Sequence, residues 1–176
     1  FDSMREATIR SQLGHIQIIR PGYFKKGMAD PYNFILPPAS PELAAIGRTA
    51  GVVTVSQRLA LSGLASHGDT TVSFIGEGVE PEREAVISDD IKVSAGRNLG
   101  SSSEKAAFIG EGLAQQLGVK PGDRIVLLVT AASGAPNAVE VEVAGLFKSV
   151  SKEFDDTALR LPIDVARKLM RVTGAT

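Results

Sequence analysis

The sequence predicts an α+β domain, and three observations carry that prediction. Apolar and polar side chains alternate over long runs, "VVTVSQRLALSGL" at 52–64 and "NAVEVEVAGLF" at 137–147, which is the periodicity of strands. Other segments start on Pro and stop at Gly, the punctuation of short helices, as in "SPELAAIGRTAG" and "PIDVARKLMRVTG". Hydrophobic residues make up 43% of the 176 and charged residues 22%, so a packed core can form. With aromatics at only 5% and no Trp, aliphatic side chains must fill it.

Residues 1–13 place Met4, Ala7, Thr8 and Leu13 near one stripe, predicting a short helix ended by Gly14. "HIQII" alternates and predicts a strand stopped by Pro21-Gly22. Residues 21–39 hold four prolines and two glycines and read as a long loop. A helix follows with Ser40 as its cap, Pro41 at its first position and Gly51 as its stop. The next strand puts Val53, Val55, Leu59 and Leu61 on one face, and "SHGD" turns it into a second strand, "TTVSFIG". "EGVEPEREAVI" supplies a helical turn, and the polar "DDIKVSAGRNLGSSSEK" reads as a loop between two lobes. From Ala106 the pattern is strand, turn, short helix, "KPGD" turn and strand. "RIVLLVT" then pairs with "NAVEVEVAGLF" across "AASGAP". "TALRL" is a last strand, and the last helix has Pro162 near its start and Gly174 past its end.

Composition excludes several kinds of chemistry. The 19 basic and 20 acidic residues leave a net charge of −1, without the basic excess that nucleic acid attracts. Cysteine is absent, so disulfides and thiolate metal sites are excluded. No run approaches the roughly 20 apolar residues needed to cross a bilayer, and no signal-peptide pattern is present. The chain opens on Phe1, which reads as a piece of a longer protein.

"FIGEG" occurs twice, at 74–78 and 108–112, and invites a phosphate-loop reading. Neither copy is followed by Gly-Lys-Ser/Thr, and Gly112 leads into Leu113, Ala114 and Gln115 rather than completing a dinucleotide fingerprint. The repeat reads as a coincidence of strand ends. Two histidines, His15 and His67, offer no catalytic triad, since "LSGLASHGD" crowds its Ser, His and Asp onto one turn. Asp89-Asp90 and Asp155-Asp156 lack calcium-loop spacing, and Glu80, Glu82 and Glu84 beside Arg83 read as a solvated edge. The sequence therefore predicts no catalytic residue, no cofactor and no metal.

Four of the nine aromatics, Tyr23, Phe24, Tyr32 and Phe34, fall in the loop at 21–39. They either cover the core or form a partner- or lipid-facing patch, and they are the candidate partner-binding residues. The first 26 residues carry five basic and two acidic side chains, a solvated face or a membrane-surface one.

"GHIQIIRPGYF", "FIGEGVEPERE", "IGEGLAQQLGVKPGDRIVLL", "NAVEVEVAGLF" and "LRLPIDVARKLM", in that order, resemble the MacB-like periplasmic core domain of FtsX/LolC-LolE-type ABC transporter permeases. "GEGLAQQLGVKPGD" with the alternating hairpin after it is the most specific piece. The resemblance implies a non-catalytic module outside the inner membrane, between the first two spans of a four-span permease. It implies a porter-like βαβ lobe over 1–87 and a sabre-like mixed lobe over 88–176. Residues 1–13 would continue the first span outward. Implied partners are a separate cytoplasmic ATPase subunit or domain, a second permease copy, and a periplasmic lipoprotein or adaptor. Implied cargo classes are lipoprotein, peptide or efflux substrates. Family members continue past the last helix into a further strand and helix. The porter lobe is therefore expected to be unfinished at Thr176, exposing an edge along "VVTVSQRLAL" that would pair with another chain. A free-standing periplasmic ligand-binding or adaptor protein is the alternative.

Overall fold

The computed structural model describes residues 16–27, 31–37, 41–87 and 91–175. The predicted helix at 1–13, His15, Ser40, Asp89 and Asp90 lie outside them.

Seven strands carry the fold: β1 (Arg58–His67), β2 (Thr70–Val79), β3 (Lys92–Gly96), β4 (Ala106–Gly110), β5 (Arg124–Thr130), β6 (Pro136–Lys148) and β7 (Ala158–Pro162). Five helices decorate them: α1 (Pro41–Gly47), α2 (Pro81–Ile87), α3 (Glu111–Leu117), α4 (Lys152–Asp155) and α5 (Ile163–Met170). The strands lie in the order β3-β6-β4-β7-β2-β1-β5, and β5 pairs again with β6. Six strands thus form a closed hydrogen-bonded circuit with β3 attached outside it. The class is mixed α/β, as the sequence predicts.

Closure follows from alternation. In β5 every second residue is buried, from Ile125 through Leu127 to Val129, while Arg124, Val126, Leu128 and Thr130 face outward. Leu59, Leu61 and Ala65 of β1 and Phe74 of β2 point to the same interior, against Leu113 and Leu117 of α3 and Val165, Ala166 and Leu169 of α5. Strands before and after residue 88 therefore contribute to one core. A second cluster lies on the far side of the sheet, where Phe108, Phe147 and Phe154 stack with ring centroids 5.1 and 5.8 Å apart. "AAFIG" and "ALRLP" are fully buried because β4 and β7 separate the two clusters.

Turns form where the sequence places them. His67 pairs with Thr70, leaving Gly68 at φ 56° to supply the positive dihedral of a two-residue hairpin loop. α3 ends at Gly118 in the left-handed conformation, with its amide on the carbonyls of Ala114 and Gln115.

Several expectations are corrected. "HIQII" pairs with no described strand; Ile16 is 83% exposed, because alternation makes a strand only when a neighbour supplies hydrogen bonds. β1 begins at Arg58, not at Val52, and Val53 is exposed. Within "VVTVSQRLAL" only 58–61 are strand; they pair with β2, while the pairing of β1 with β5 is confined to Leu64–Ser66, beyond that stretch. The polar linker contains β3, which pairs antiparallel with the end of β6 across a bulge at Val93 and Ala95. α1 stops at Gly47, and Gly51 (φ 90°) belongs to the turn beyond it. α5 ends at Arg171, which adopts the left-handed conformation itself, while Gly174 lets the backbone at Leu36 approach.

The two "FIGEG" copies occupy different settings. The first lies inside β2, where Gly78 faces the Ala166 methyl and Gly76 faces Phe74 and Leu159. The second joins β4 to α3, where a Cβ on Gly110 would collide with the Asp155 carbonyl and one on Gly112 with the Asp156 carboxylate. These glycines permit close packing and leave no room for phosphate. Gly110→Ala is expected to destabilise the fold by roughly 1–3 kcal/mol, read from urea unfolding midpoints.

Candidate functional site

The stretches at 20–27 and 31–37 are folded onto one end of the sheet. Gly22 (φ 87°) turns the chain, and the amides of Lys25 and Lys26 both donate to its carbonyl, winding Tyr23–Gly27 into a single π turn. Pro31–Phe34 forms a 3₁₀ turn. Leu36 and Ala175 exchange two backbone hydrogen bonds of 2.7 and 3.2 Å, an isolated bridge that clamps the segment beside the end of α5. The Arg20 guanidinium adds a bond to the Asn33 carbonyl at 3.4 Å.

The four sequence-predicted aromatics divide between two roles. Tyr23, Phe24 and Phe34 come together: Tyr23 sits edge-on to Phe24 at 5.9 Å and to Phe34 at 6.0 Å. Tyr23 and Phe34 are half-buried, whereas Phe24 stays 78% exposed between the turn and the exposed Lys25. Tyr32 turns the other way. Its ring packs against the main core and its hydroxyl donates to the Thr130 carbonyl at the end of β5. Burial pushes the Tyr32 phenol up. Tyr32 is thus an anchor of the segment, and the exposed apolar surface belongs to Phe24. A groove of about 290 Å³ lies between Ile18, Arg20, Leu36, Leu43 and Ile46.

An ion network missed by sequence reasoning fixes the start of β1. Glu84 of α2 is buried, not solvated. Its carboxylate accepts from Arg58 Nε at 3.0 Å and Nη2 at 2.9 Å, and from the Ser56 hydroxyl at 2.8 Å. Glu80 accepts from the Gln57 amide at 2.8 Å. Glu77 of β2 stands 3.7 Å from both Arg58 and the buried Arg160 of β7. The fork geometry of Arg58 on Glu84 satisfies the buried carboxylate from a guanidinium that is itself largely covered. Burial opposes the charge on Glu84, but hydrogen bonds and charge from Arg58, aided by Ser56 and Arg160, outweigh it and hold the carboxyl below its ordinary range. Burial pulls the Arg160 guanidinium down from its usual value, against the charge of Glu77. The available signal was the spacing of Glu80, just before α2, and Glu84, one turn on within it, both reaching the chain at 56–58.

No catalytic constellation assembles among the described residues. His67 Nδ1 lies 3.2 Å from the Leu117 carbonyl, closing the end of β1 against α3. Asp155 accepts the Ser149 amide on both oxygens, at 3.0 and 3.1 Å, and Asp156 binds the Lys152 ammonium at 2.7 Å. These acids are occupied by the fold, and no group of three potential metal ligands occurs among the described residues. No described helix is long and apolar enough to cross a membrane.

The family model of the MacB-like periplasmic core domain matches residues 1–175. The chain belongs to that family. Three solved structures share its fold. One is the extracellular domain of the noncanonic ABC-type transporter YknZ from Gram-positive bacteria, at 17% identity and TM-score 0.57 over 80% of this chain and 77% of that one. Another is the periplasmic region of MacB from Actinobacillus actinomycetemcomitans, at 12% identity and TM-score 0.58 over 85% and 66%. The third is a domain of a putative permease protein from Porphyromonas gingivalis, at 18% and 0.51 over 80% and 58%. No curated protein matches the chain. The MacB-like core is thus built here around a closed sheet, with the aromatic segment clamped to one end.

The sequence-distant pair of Arg58 and Glu84 is the most testable part of this arrangement. Glu84→Gln is expected to cost about 2–3 kcal/mol at neutral pH. Because the folded carboxyl lies below its unfolded range, this contribution is full above the unfolded value of about 4.3 and fades as pH falls through the folded one. Unfolding midpoints of the two proteins should therefore converge in acid.

Proposed function

We propose that this chain is the extracytoplasmic domain of an ABC transporter permease, a non-catalytic module that contacts cargo or a partner and carries ATP-driven motion across the membrane. The family match over residues 1–175 carries the reading. The shared fold with the YknZ and MacB domains supports it. A separate ATPase subunit or domain would burn the fuel, and a second permease copy would complete the transporter, which sits in the inner membrane with this domain on the far side. Cargo of lipoprotein, peptide or efflux type fits the family.

A rigid body serves this role better than a pocket. The circuit of β1, β2, β4, β5, β6 and β7 resists shear because each strand is paired on both sides over at least part of its length. In this reading the porter-like part over 1–87 and the sabre-like part over 88–176 are joined by the pairings of β1 with β5 and of β2 with β7. Tyr23, Phe24 and Phe34 are proposed as the surface that meets a partner, with Tyr32 holding that surface in place.

These 176 residues hold no cysteine, so one introduced among them makes location testable once any cysteine elsewhere in the parent is replaced. A single cysteine at exposed Ser133, in the β5–β6 loop of the full-length parent, should react with a membrane-impermeant maleimide in intact spheroplasts. Labelling only after lysis would remove the extracytoplasmic reading. Phe24→Ala should leave stability within about 0.5 kcal/mol of the parent, because the side chain is exposed, while lowering transport by the full-length protein. Unchanged transport would take Phe24 out of the partner surface.

A further inference from the structure

We propose that the groove between β6 and α5 binds an extended acidic peptide segment by adding it to β6 as a strand. This inference stands on the sheet's geometry and is independent of the transport reading.

β6 is thirteen residues long, and its two sides are unequally covered. On one side β5 pairs with 136–142 and β3 with 145–148. On the other, β4 starts only at Ala106, opposite Glu142. Among the described strands, residues 136–141 therefore have a neighbour on one side alone. The register says which main-chain groups face the open side. The Glu142 amide donates to the Lys105 carbonyl at 3.1 Å, on the β4 side, whereas the Val143 amide donates to the Asp123 carbonyl at 2.8 Å, on the β5 side. Alternation then turns the N–H and C=O of Ala138 and Glu140 outward along the open edge.

That edge borders a groove of about 260 Å³ rather than flat surface. Val139, Val165 and Leu169 make it apolar, and Ser103, Lys105 and Lys168 line its remainder. Its width is set by Asn137, whose side-chain amide donates to the α5 carbonyls of Lys168 at 3.2 Å and Leu169 at 2.7 Å. The unmatched charge here is positive. Glu140 is paired with Arg124 at 2.9 Å, Glu104 with Arg97 at 3.0 Å and Asp164 with Arg167 at 3.4 Å. The Glu142 side chain is exposed and, by strand alternation, on the outer face of the sheet, opposite α5. Lys105 and Lys168 are exposed, and neither forms an ion pair with a described residue. Open ladder groups favour an extended backbone, the apolar walls favour small aliphatic side chains, and two ammonium groups favour carboxylates.

The probe is the blocked pentapeptide Glu-Val-Thr-Val-Glu, compared with Lys-Val-Thr-Val-Lys, each titrated into the 176-residue chain and followed by amide NMR and hydrogen exchange. The acidic peptide is expected to bind and to slow exchange at Ala138 and Glu140. The double variant Lys105→Glu, Lys168→Glu should weaken it about tenfold and shift preference toward the basic peptide. Ala138→Pro removes an edge N–H that the β5–β6 ladder does not use, and should abolish binding while β5–β6 amides stay protected. The proposal is overturned by no binding, by equal affinity for both peptides, or by unchanged affinity in the charge-reversed variant. Protection of the edge that rises with protein concentration alone would overturn it too, by assigning the edge to a second copy.

Discussion

The fold hangs on β7. Its five buried residues run parallel to β2 and antiparallel to β4, so they join the hairpin at 58–79 to the strands that follow residue 105. A parallel pair cannot be closed by a tight turn, and the chain between β2 and β7 must travel around the whole sheet before returning. Once that long-range pairing forms, one set of β7 side chains, Leu159 and Leu161, fills the larger core, and Ala158 on the opposite face joins the second cluster. Small residues then matter as much as large ones. Gly78 and Gly110 flank β7 on the two sides, and each admits a neighbouring element where a side chain would not fit.

Arg160 complicates that strand in an instructive way. A guanidinium placed in the middle of "ALRLP" is costly to bury, and it is tolerated because Glu77 of the adjoining strand faces it and Arg58 and Glu84 extend the network. The network also ties the chain at 56–58, where it enters the sheet, to α2. Any displacement of the segment preceding β1 would meet this buried set of charges before it reached the core. In the proposed role of a mechanical module, such a joint transmits force without bending.

The described surface pairs rigidity with two places that invite contact. The aromatic segment is held by Tyr32 on Thr130 and by Leu36 on Ala175, both in its second half, yet leaves Phe24 in solvent. The closed circuit shortens the strand edges, which protects against unwanted pairing, and one stretch that keeps a strand neighbour on a single side among the described strands is the first half of β6. Neither place brings together a group of three potential metal ligands among the described residues.

Much of this was legible in the residues. The hairpin at "SHGD", the strand–helix–turn–strand unit from Ala106 to Thr130, its partner strand and the last helix are local patterns, specified by alternation, by Pro at a start and by Gly at a positive φ. The aromatic segment was visible as an unusual concentration of rings in a Pro-rich loop. Tertiary structure alone decided the rest. Strand order is a matter of long-range pairing, so the sequence could not show that β1 lies between β2 and β5, or that the first half of β6 keeps one side open among the described strands. The polar stretch at 92–96 became a strand only because β6 runs long enough to take a second neighbour. Glu84, acidic in an acidic stretch, reads as solvated until Arg58 is brought across from a residue 26 positions away. Periodicity tells which face of an element is buried, but which element covers that face is settled only when the whole chain has closed.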